Sequence, residues 1–148
     1  GDLTMPEIKS IVRESVVSAS PETPLSEVAQ LMDEETVGSV VIVEEGRPQG
    51  IVTDRDLAIE VVARGGDASS QTAADVMSEQ VETVDVDSGI FDVLRVMADA
   101  KVRRIPAVDA DGQLAGIVTF DDFVILLGRE LDLLGEVVEA EIPPYEHT

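Results

Sequence analysis

The amino-acid sequence predicts an α/β (α+β) protein made of two tandem β-α-β-β-α repeats. The first observation is a duplicated stretch, because GIVTDRDL at residues 50–57 returns as GIVTFDDF at residues 116–123. The second is that the same order of strand-like runs and helical spacings precedes both copies. The third is that the strand-like runs are almost wholly apolar, which is typical of strands buried on both faces. We therefore expect the repeats to pack together as a pseudo-twofold pair.

Each element of the first repeat follows from local pattern. Leu25, Val28 and Met32 recur at helical spacing, and Gly65-Gly66 stops the last helix. The predicted elements are a strand at 16–19, a helix from residue 25, strands at 40–43 and 51–52, and a closing helix from residue 54.

The second repeat is aligned with the first through residue pairs at constant spacing. Val28 and Val93 are 65 positions apart, whereas Thr53 and Thr119 are 66 apart, so one residue is inserted in the hairpin turn, where insertions are tolerated. The predicted elements are a helical turn at 73–77, a strand at 81–84, a helix at 90–100, strands at 105–108 and 114–118, and a long helix over about 121–140. The predicted units are repeat 1 at 12–66, repeat 2 at 74–132, and an acidic helix extension and tail at 133–148.

The net charge of −21 is the main compositional signal. It argues against a nucleic-acid partner, because the phosphate backbone would be repelled. The acidic residues are spread over predicted helices and loops, a pattern that suggests adaptation to high salt, where self-repulsion is screened. We hypothesise a halophilic source.

The sequence favours a non-enzymatic protein of the cytoplasm. No apolar run is long enough to span a membrane and no signal peptide is apparent at the start, so we expect no membrane partner. There is no cysteine, and the one histidine is His147, so thiol chemistry, a Ser-His-Asp triad and a transition-metal site are not expected. The acids around Asp109 and Asp111 lack the glutamate of a calcium loop. We therefore expect no catalytic residue and no metal ligand.

Two motifs, Gly-Ile-Val-Thr-x-x-Asp in both repeats and Arg-Arg-Ile-Pro-Ala-Val at 103–108, give the chain a family resemblance. It resembles the CBS domain, as the tandem pair called a Bateman module, and in particular small stand-alone CBS proteins. The resemblance implies an adenosine-containing ligand, of the AMP, ADP, ATP or S-adenosylmethionine class, in the cleft between the repeats. No other cofactor is implied.

The resemblance also implies roles for single residues. Asp56 and Asp122 would accept hydrogen bonds from ribose hydroxyls, and Thr53 and Thr119 would contact ribose or phosphate. Backbone at 38–39 and 104–105 would contact adenine, and residues 17–19 and 82–84 of the first strands would line the pocket. The arginines near these junctions suit bidentate phosphate contacts. The expected ligand-binding residues are Ser18, Ala19, Gly38, Ser39, Thr53, Arg55, Asp56, Thr83, Arg103, Arg104, Ile105, Thr119 and Asp122.

The threonine, aspartate and arginine assignments each have an alternative that needs no ligand. Thr-x-x-Asp before an apolar helix is also a capping box. The arginines could pair with nearby acids, and Arg55 could form a pair on its own helix. Because Arg55 corresponds to Asp121 in the second copy, a phosphate should prefer the first site.

The apolar residues beyond the second repeat predict a homodimer. They continue along the last helix and need cover: Leu131, Leu133, Leu134, Val137 and Val138. The alternative is that this helix folds back over its own pair. The competing function is a structural or partner-binding dimer whose clefts stay empty.

Overall fold

Each repeat forms one three-stranded sheet with its helices, in a computed structural model that describes residues 8–78 and 82–141. The mixed α+β fold and the β-α-β-β-α order are as predicted. The elements are a 3-10 turn (Ile8–Ser10), β1 (Ser18–Ala19), α1 (Leu25–Glu35), β2 (Ser39–Glu44), β3 (Arg47–Thr53), α2 (Asp54–Leu57) continuing as a π-helix (Ala58–Ala63), α3 (Ala73–Val76), β4 (Val84–Asp85), α4 (Ile90–Ala100), β5 (Arg104–Val108), β6 (Leu114–Thr119) and α5 (Phe120–Glu141).

The two sheets have the same topology. The orders are β1-β2-β3 and β4-β5-β6, with the first pair of strands parallel and the second antiparallel in each sheet. The first hairpin turns at Glu45 and Gly46, both at positive φ, as tight hairpins require. The second uses residues 109–113, so the inserted residue does lie in the hairpin.

The first strand of each sheet is shorter than predicted. β1 begins at Ser18 rather than residue 16, and β4 begins at Val84 rather than residue 81, which lies outside the described residues. The reason is pairing: only Ser18 and Ala19, or Val84 and Asp85, are in register with the neighbouring strand.

Each repeat has its own core, and the segment that precedes one repeat packs on the other. Ile8 is buried in the core of the second repeat, and Ala73 in the core of the first. The Ile8 amide donates to the Ser88 carbonyl at 3.0 Å, and the Ala73 amide donates to the Thr23 carbonyl at 2.9 Å. The two donors are 65 positions apart, and so are the two acceptors, so the two contacts are related by the pseudo-twofold axis. We call this arrangement, in which the segment before each repeat packs on the other repeat, the segment exchange; it ties the two repeats together.

The glycine of each GIVT stretch makes room for the exchanged segment. That segment crosses β3 at Ser78 and β6 at Arg13, where backbone hydrogen bonds join it to the strand. A Cβ at Gly50 would lie 2.6 Å from the Ser78 carbonyl oxygen, and one at Gly116 would lie 2.7 Å from the Arg13 carbonyl oxygen. A larger residue at either position would push the crossing segment off the sheet.

The last helix, α5, runs on past the second core as one continuous element. Leu131 and Leu134 are 67% and 62% exposed, so α5 does not fold back over its own pair. Within residues 8–78 and 82–141, no helix is both long enough and apolar enough to cross a lipid bilayer.

Candidate functional site

Two clefts lie between the repeats, and each joins the GIVT junction of one repeat to the start of the second strand of the other. Cleft A has a volume of about 740 Å³ and is lined by Ile51, Thr53, Asp54, Arg55, Asp56, Ser78, Glu82, Ala100, Lys101, Val102, Arg103 and Arg104. Cleft B has a volume of about 290 Å³ and is lined by Arg13, Ser15, Val16, Val17, Val37, Gly38, Ser39, Val41, Arg104, Ile117, Thr119 and Asp121.

In cleft A, the Thr-x-x-Asp motif forms a capping box, which was the alternative to a ligand-binding role. The Thr53 amide donates to Asp56 Oδ2 at 2.8 Å, and the Asp56 amide donates to Thr53 Oγ1 at 3.2 Å. The two side chains therefore hold each other at the start of α2 while both line the cleft. Asp56 Oδ1 has no hydrogen-bond partner among the described residues, so one carboxylate oxygen is left for a ligand.

Cleft A gathers positive charge in an acidic protein. Arg55, Lys101, Arg103 and Arg104 line it, which is four of the ten basic residues of the chain. In the part of the chain that the structure describes, Arg55, Lys101 and Arg104 form no ion pair. Three acidic residues, Asp54, Asp56 and Glu82, line the same cleft, so its cations outnumber its carboxylates by one and an anion can bind to the unpaired cations.

Arg103 is the member of this group that already has partners. Its guanidinium donates to Asp121 Oδ1 at 3.1 Å and lies over the Phe120 ring, 4.9 Å from the centroid. Both side chains of the ion pair are largely exposed, so the pair contributes little stability. The alternative of pairing with an acid is therefore observed for Arg103 but not for Arg104.

The carboxylate equivalent to that of Asp56 belongs to Asp122, and it is bound by Arg13, which lines cleft B. Arg13 donates from Nε to Asp122 Oδ2 at 3.0 Å and from a terminal nitrogen to Asp122 Oδ1 at 2.8 Å. These bonds are the main reason that the pKa of the Asp122 carboxyl lies below its usual value, although burial acts in the opposite direction. The Arg13 pKa is raised by the same contact. Asp122 is 8% exposed and, together with Arg13, lines a separate pocket of about 380 Å³.

The structure brings most of the predicted ligand-binding residues to the clefts. Thr53, Arg55, Asp56, Arg103 and Arg104 line cleft A, and Gly38, Ser39, Thr119 and again Arg104 line cleft B. The ligand contacts of these residues stay predictions.

Five predicted residues line neither cleft. Ser18 and Ala19 pair with β2, and residues 15–17, just before them, line cleft B. Thr83 is likewise replaced by Glu82 in cleft A. Ile105 is fully buried in the second core, and Asp122 is turned to Arg13.

Sequence reasoning missed Arg13, Ser78 and Lys101, whereas Glu82 and Val17, which the resemblance assigned to the pocket, line clefts A and B. Arg13 and Ser78 are 65 positions apart, and so are Thr36 and Lys101. The repeat spacing, extended upstream of each first strand, would have marked the first pair as equivalent. It would not have placed either residue in a cleft, because that depends on the segment exchange.

The described residues contain no group of three or more histidine, cysteine, aspartate or glutamate side chains arranged to hold a metal ion. His147 lies outside them.

Comparison with known proteins identifies the family of this chain. A model of the CBS domain matches residues 8–63 and 73–129. The chain is 41% identical over 118 residues to the protein MK0525 of Methanopyrus kandleri, a match that covers 79% of this chain and 60% of that protein. It is 32% identical over 119 residues to Hypoxic response protein 1 of Mycobacterium tuberculosis, covering 80% of this chain and 82% of that protein.

Solved structures agree with this match. The structure of Hypoxic Response Protein I with two coordinated zinc ions superimposes with a TM-score of 0.72 at 31% identity, covering 81% of this chain and 98% of that one. The CBS domain pair of protein MJ0100, in complex with 5′-methylthioadenosine and S-adenosyl-L-methionine, gives a TM-score of 0.75 at 25% identity, covering 86% and 99%. With both repeats matched in sequence and in fold, this chain belongs to the CBS domain family and carries a tandem pair of CBS domains.

Proposed function

We propose that this protein is a non-enzymatic sensor module that binds a phosphate-bearing adenosine nucleotide, of the AMP, ADP or ATP kind, in cleft A. The observation that carries the proposal is the concentration of cations in that cleft: four of ten basic residues line it, against three of 31 acidic residues, in a chain of net charge −21. Its volume of about 740 Å³ also falls in the range of small-molecule pockets.

The polar groups of cleft A suit the rest of such a ligand. The free Oδ1 of Asp56 can accept a hydrogen bond from a ribose hydroxyl, because an ionised carboxylate has spare lone pairs. Arg55, Lys101 and Arg104 would face the phosphates, and Arg can bind them in bidentate fashion. The complex of MJ0100 with two adenosine-containing ligands supports the ligand class for a cleft of this family.

Ligand binding would act by stabilising one arrangement of the two repeats. Cleft A takes residues 51–56 from the first repeat and residues 100–104 from the second. A ligand that contacts both sides favours the arrangement that it fits best, by its difference in affinity between the arrangements. The signal passed to a target is thus a change in the repeat-to-repeat geometry.

Isothermal titration calorimetry with AMP, ATP, S-adenosylmethionine and 5′-methylthioadenosine tests the proposal. We expect one site per chain, and AMP or ATP at least tenfold tighter than 5′-methylthioadenosine, which lacks phosphate. No heat from any of the four would leave the competing function, a structural or partner-binding dimer with empty clefts.

The site is tested by Asp56→Asn, with Asp75→Asn as its matched control. Thr72 and Asp75 form the same capping box as Thr53 and Asp56, with a 2.8 Å bond from the Thr72 amide, but outside both clefts. Both variants lose the same capping charge. We expect AMP affinity to fall about tenfold or more in Asp56→Asn and to stay within twofold in Asp75→Asn. Equal AMP affinities in the two variants would show that Asp56 does not contribute to the binding site.

We also propose that the protein is a homodimer held by an apolar seam on α5. The seam residues are exposed and follow one another at alternating spacings of four and three: Phe120, Val124, Leu127, Leu131, Leu134 and Val138. This is the heptad spacing by which one helix packs against a helix of the same pattern. Between Val124 and Val138, Glu130 is the one charged residue at the positions beside the seam, so a second acidic chain can approach there.

A further inference from the structure

We propose that Arg13 closes cleft B by withdrawing Asp122 from it, so that each chain has a single nucleotide site. The inference rests on the proposed function, because it concerns how many of the two clefts can take the nucleotide. It makes Arg13 a residue that sets binding stoichiometry rather than one that touches the ligand.

The argument begins from the equivalence of the two clefts in sequence. Asp56 and Asp122 each follow a threonine by three positions, and in each the aspartate amide donates to the threonine Oγ1 at 3.2 Å. The backbone of the crossing segment is also equivalent, with Ser78 on β3 and Arg13 on β6. At the crossing segment the two sites differ in one side chain, a serine in cleft A and an arginine in cleft B. They also differ where Asp121 replaces Arg55 and where Thr36 replaces Lys101.

The arginine side chain occupies the hydrogen-bond acceptors of the aspartate beside it. Both oxygens of the Asp122 carboxylate accept hydrogen bonds from Arg13, whereas Asp56 keeps Oδ1 free. A bidentate pair between two charged groups is stronger than hydrogen bonds from neutral hydroxyls, so a ribose would not displace the guanidinium readily. Asp122 is absent from the lining of cleft B, where Arg13 stands in its place.

The charge and the volume of the two clefts also favour cleft A over cleft B as the nucleotide site. Cleft B has about 290 Å³ against about 740 Å³ for cleft A, and Asp121 stands where cleft A has Arg55. The position of Arg13 is itself fixed. Its amide and carbonyl pair with Ile117 at 2.9 and 3.0 Å, and upstream Ile8 is buried in the second core. The contact is therefore built into the segment exchange.

The test exchanges the two side chains and measures stoichiometry by calorimetry with AMP and ATP. Arg13→Ser gives cleft B the residue that cleft A has, and the backbone pairing with Ile117 does not depend on the side chain. We expect one site per chain in the wild type and a second, weaker site in Arg13→Ser, weaker because Asp121 still stands where cleft A has Arg55. The reciprocal Ser78→Arg should pair with Asp56 and weaken the original site at least tenfold. The double variant should retain only the weaker site, in cleft B.

The outcomes separate this inference from the proposed function. Two equivalent sites in the wild type, or one site in Arg13→Ser with unchanged affinity in Ser78→Arg, would overturn the role of Arg13 while leaving nucleotide binding intact. No binding by the wild type or by any variant would overturn both. Thermal melts identify a variant that fails to fold, and Ser78→Arg tests the same contact without altering cleft B.

Discussion

The same four-residue motif serves two purposes in this protein. Thr53 and Asp56 cap a helix and face an open cleft. The Asp122 amide also donates to Thr119, but its carboxylate binds Arg13. The motif itself predicts the cap, because a threonine followed three positions later by an acid before an apolar run is a local signal. Arg13 lies 109 positions from Asp122, so no local pattern predicts their contact.

The pair of Arg13 and Asp122 makes a pH-dependent contribution to stability. The folded state lowers the pKa of Asp122, so the contribution is complete above the pKa of the unfolded state, near 4, and is lost as pH falls through the lower folded value. We expect Asp122→Asn to lower the free energy of unfolding by about 1 kcal/mol at pH 7, a modest figure because Arg13 is largely exposed.

Urea unfolding of the wild type and Asp122→Asn from pH 7 down to about pH 3 measures this effect. The difference between them should shrink below about pH 4. Asp99→Asn, at an exposed residue with no ion pair in the described structure, is the control and should change stability by less than about 0.5 kcal/mol. A difference for Asp122→Asn that does not change with pH would contradict the assignment.

At the scale of elements, long amphipathic segments were predictable and short paired ones were not. The bounds of α4 are those that its apolar spacing predicts, and α5 differs from prediction by one residue at each end. β1 and β4 have two residues each, because their length is set by the partner strand rather than by their own sequence. The π-helix after α2 was also unforeseen, since residues 57–62 give no clear helical period.

The proposal that the apolar seam on α5 holds the homodimer can be tested by substitutions in the seam. Replacing Leu131 and Leu134 with glutamate would place charges within the apolar seam of both chains, so we expect the dimer to dissociate into monomers. Size-exclusion chromatography with light scattering gives the mass directly.

Arg129→Glu is the matched control for that experiment. It makes α5 more acidic from a position off the seam, so the mass should remain that of two chains. A wild type that elutes as a monomer, or a dimer that survives both seam substitutions, would show that α5 does not hold the assembly.

At the scale of the whole molecule, the duplication predicted the pairing of the repeats, but the segment exchange needed the structure. A small sheet with helices on one side must cover its other face, and a second copy in the same chain can do so. That Ile8 completes the second core, and Ala73 the first, depends on contacts between residues far apart in sequence. The unequal clefts follow from the exchange, because it carries Arg13 to one of them and Ser78 to the other.

The charge of the whole molecule predicts salt-dependent stability. With a net charge of −21, self-repulsion destabilises the folded state until salt screens it. Raising KCl from about 0.1 M to about 1 M shortens the screening length from about 10 Å to about 3 Å, so we expect the melting temperature to rise. Sucrose, which stabilises without screening charge, is the control. A melting temperature that does not respond to KCl would argue against the halophilic hypothesis.

The central claim is that one nucleotide binds in cleft A. The most direct test follows backbone amide signals by nuclear magnetic resonance as AMP is added to the wild type. We predict saturable shifts at residues 53–56 and 101–104, with signals of residues 37–39 and 119 little changed. Shifts centred on the second group, or no saturable shift in either, would contradict the claim.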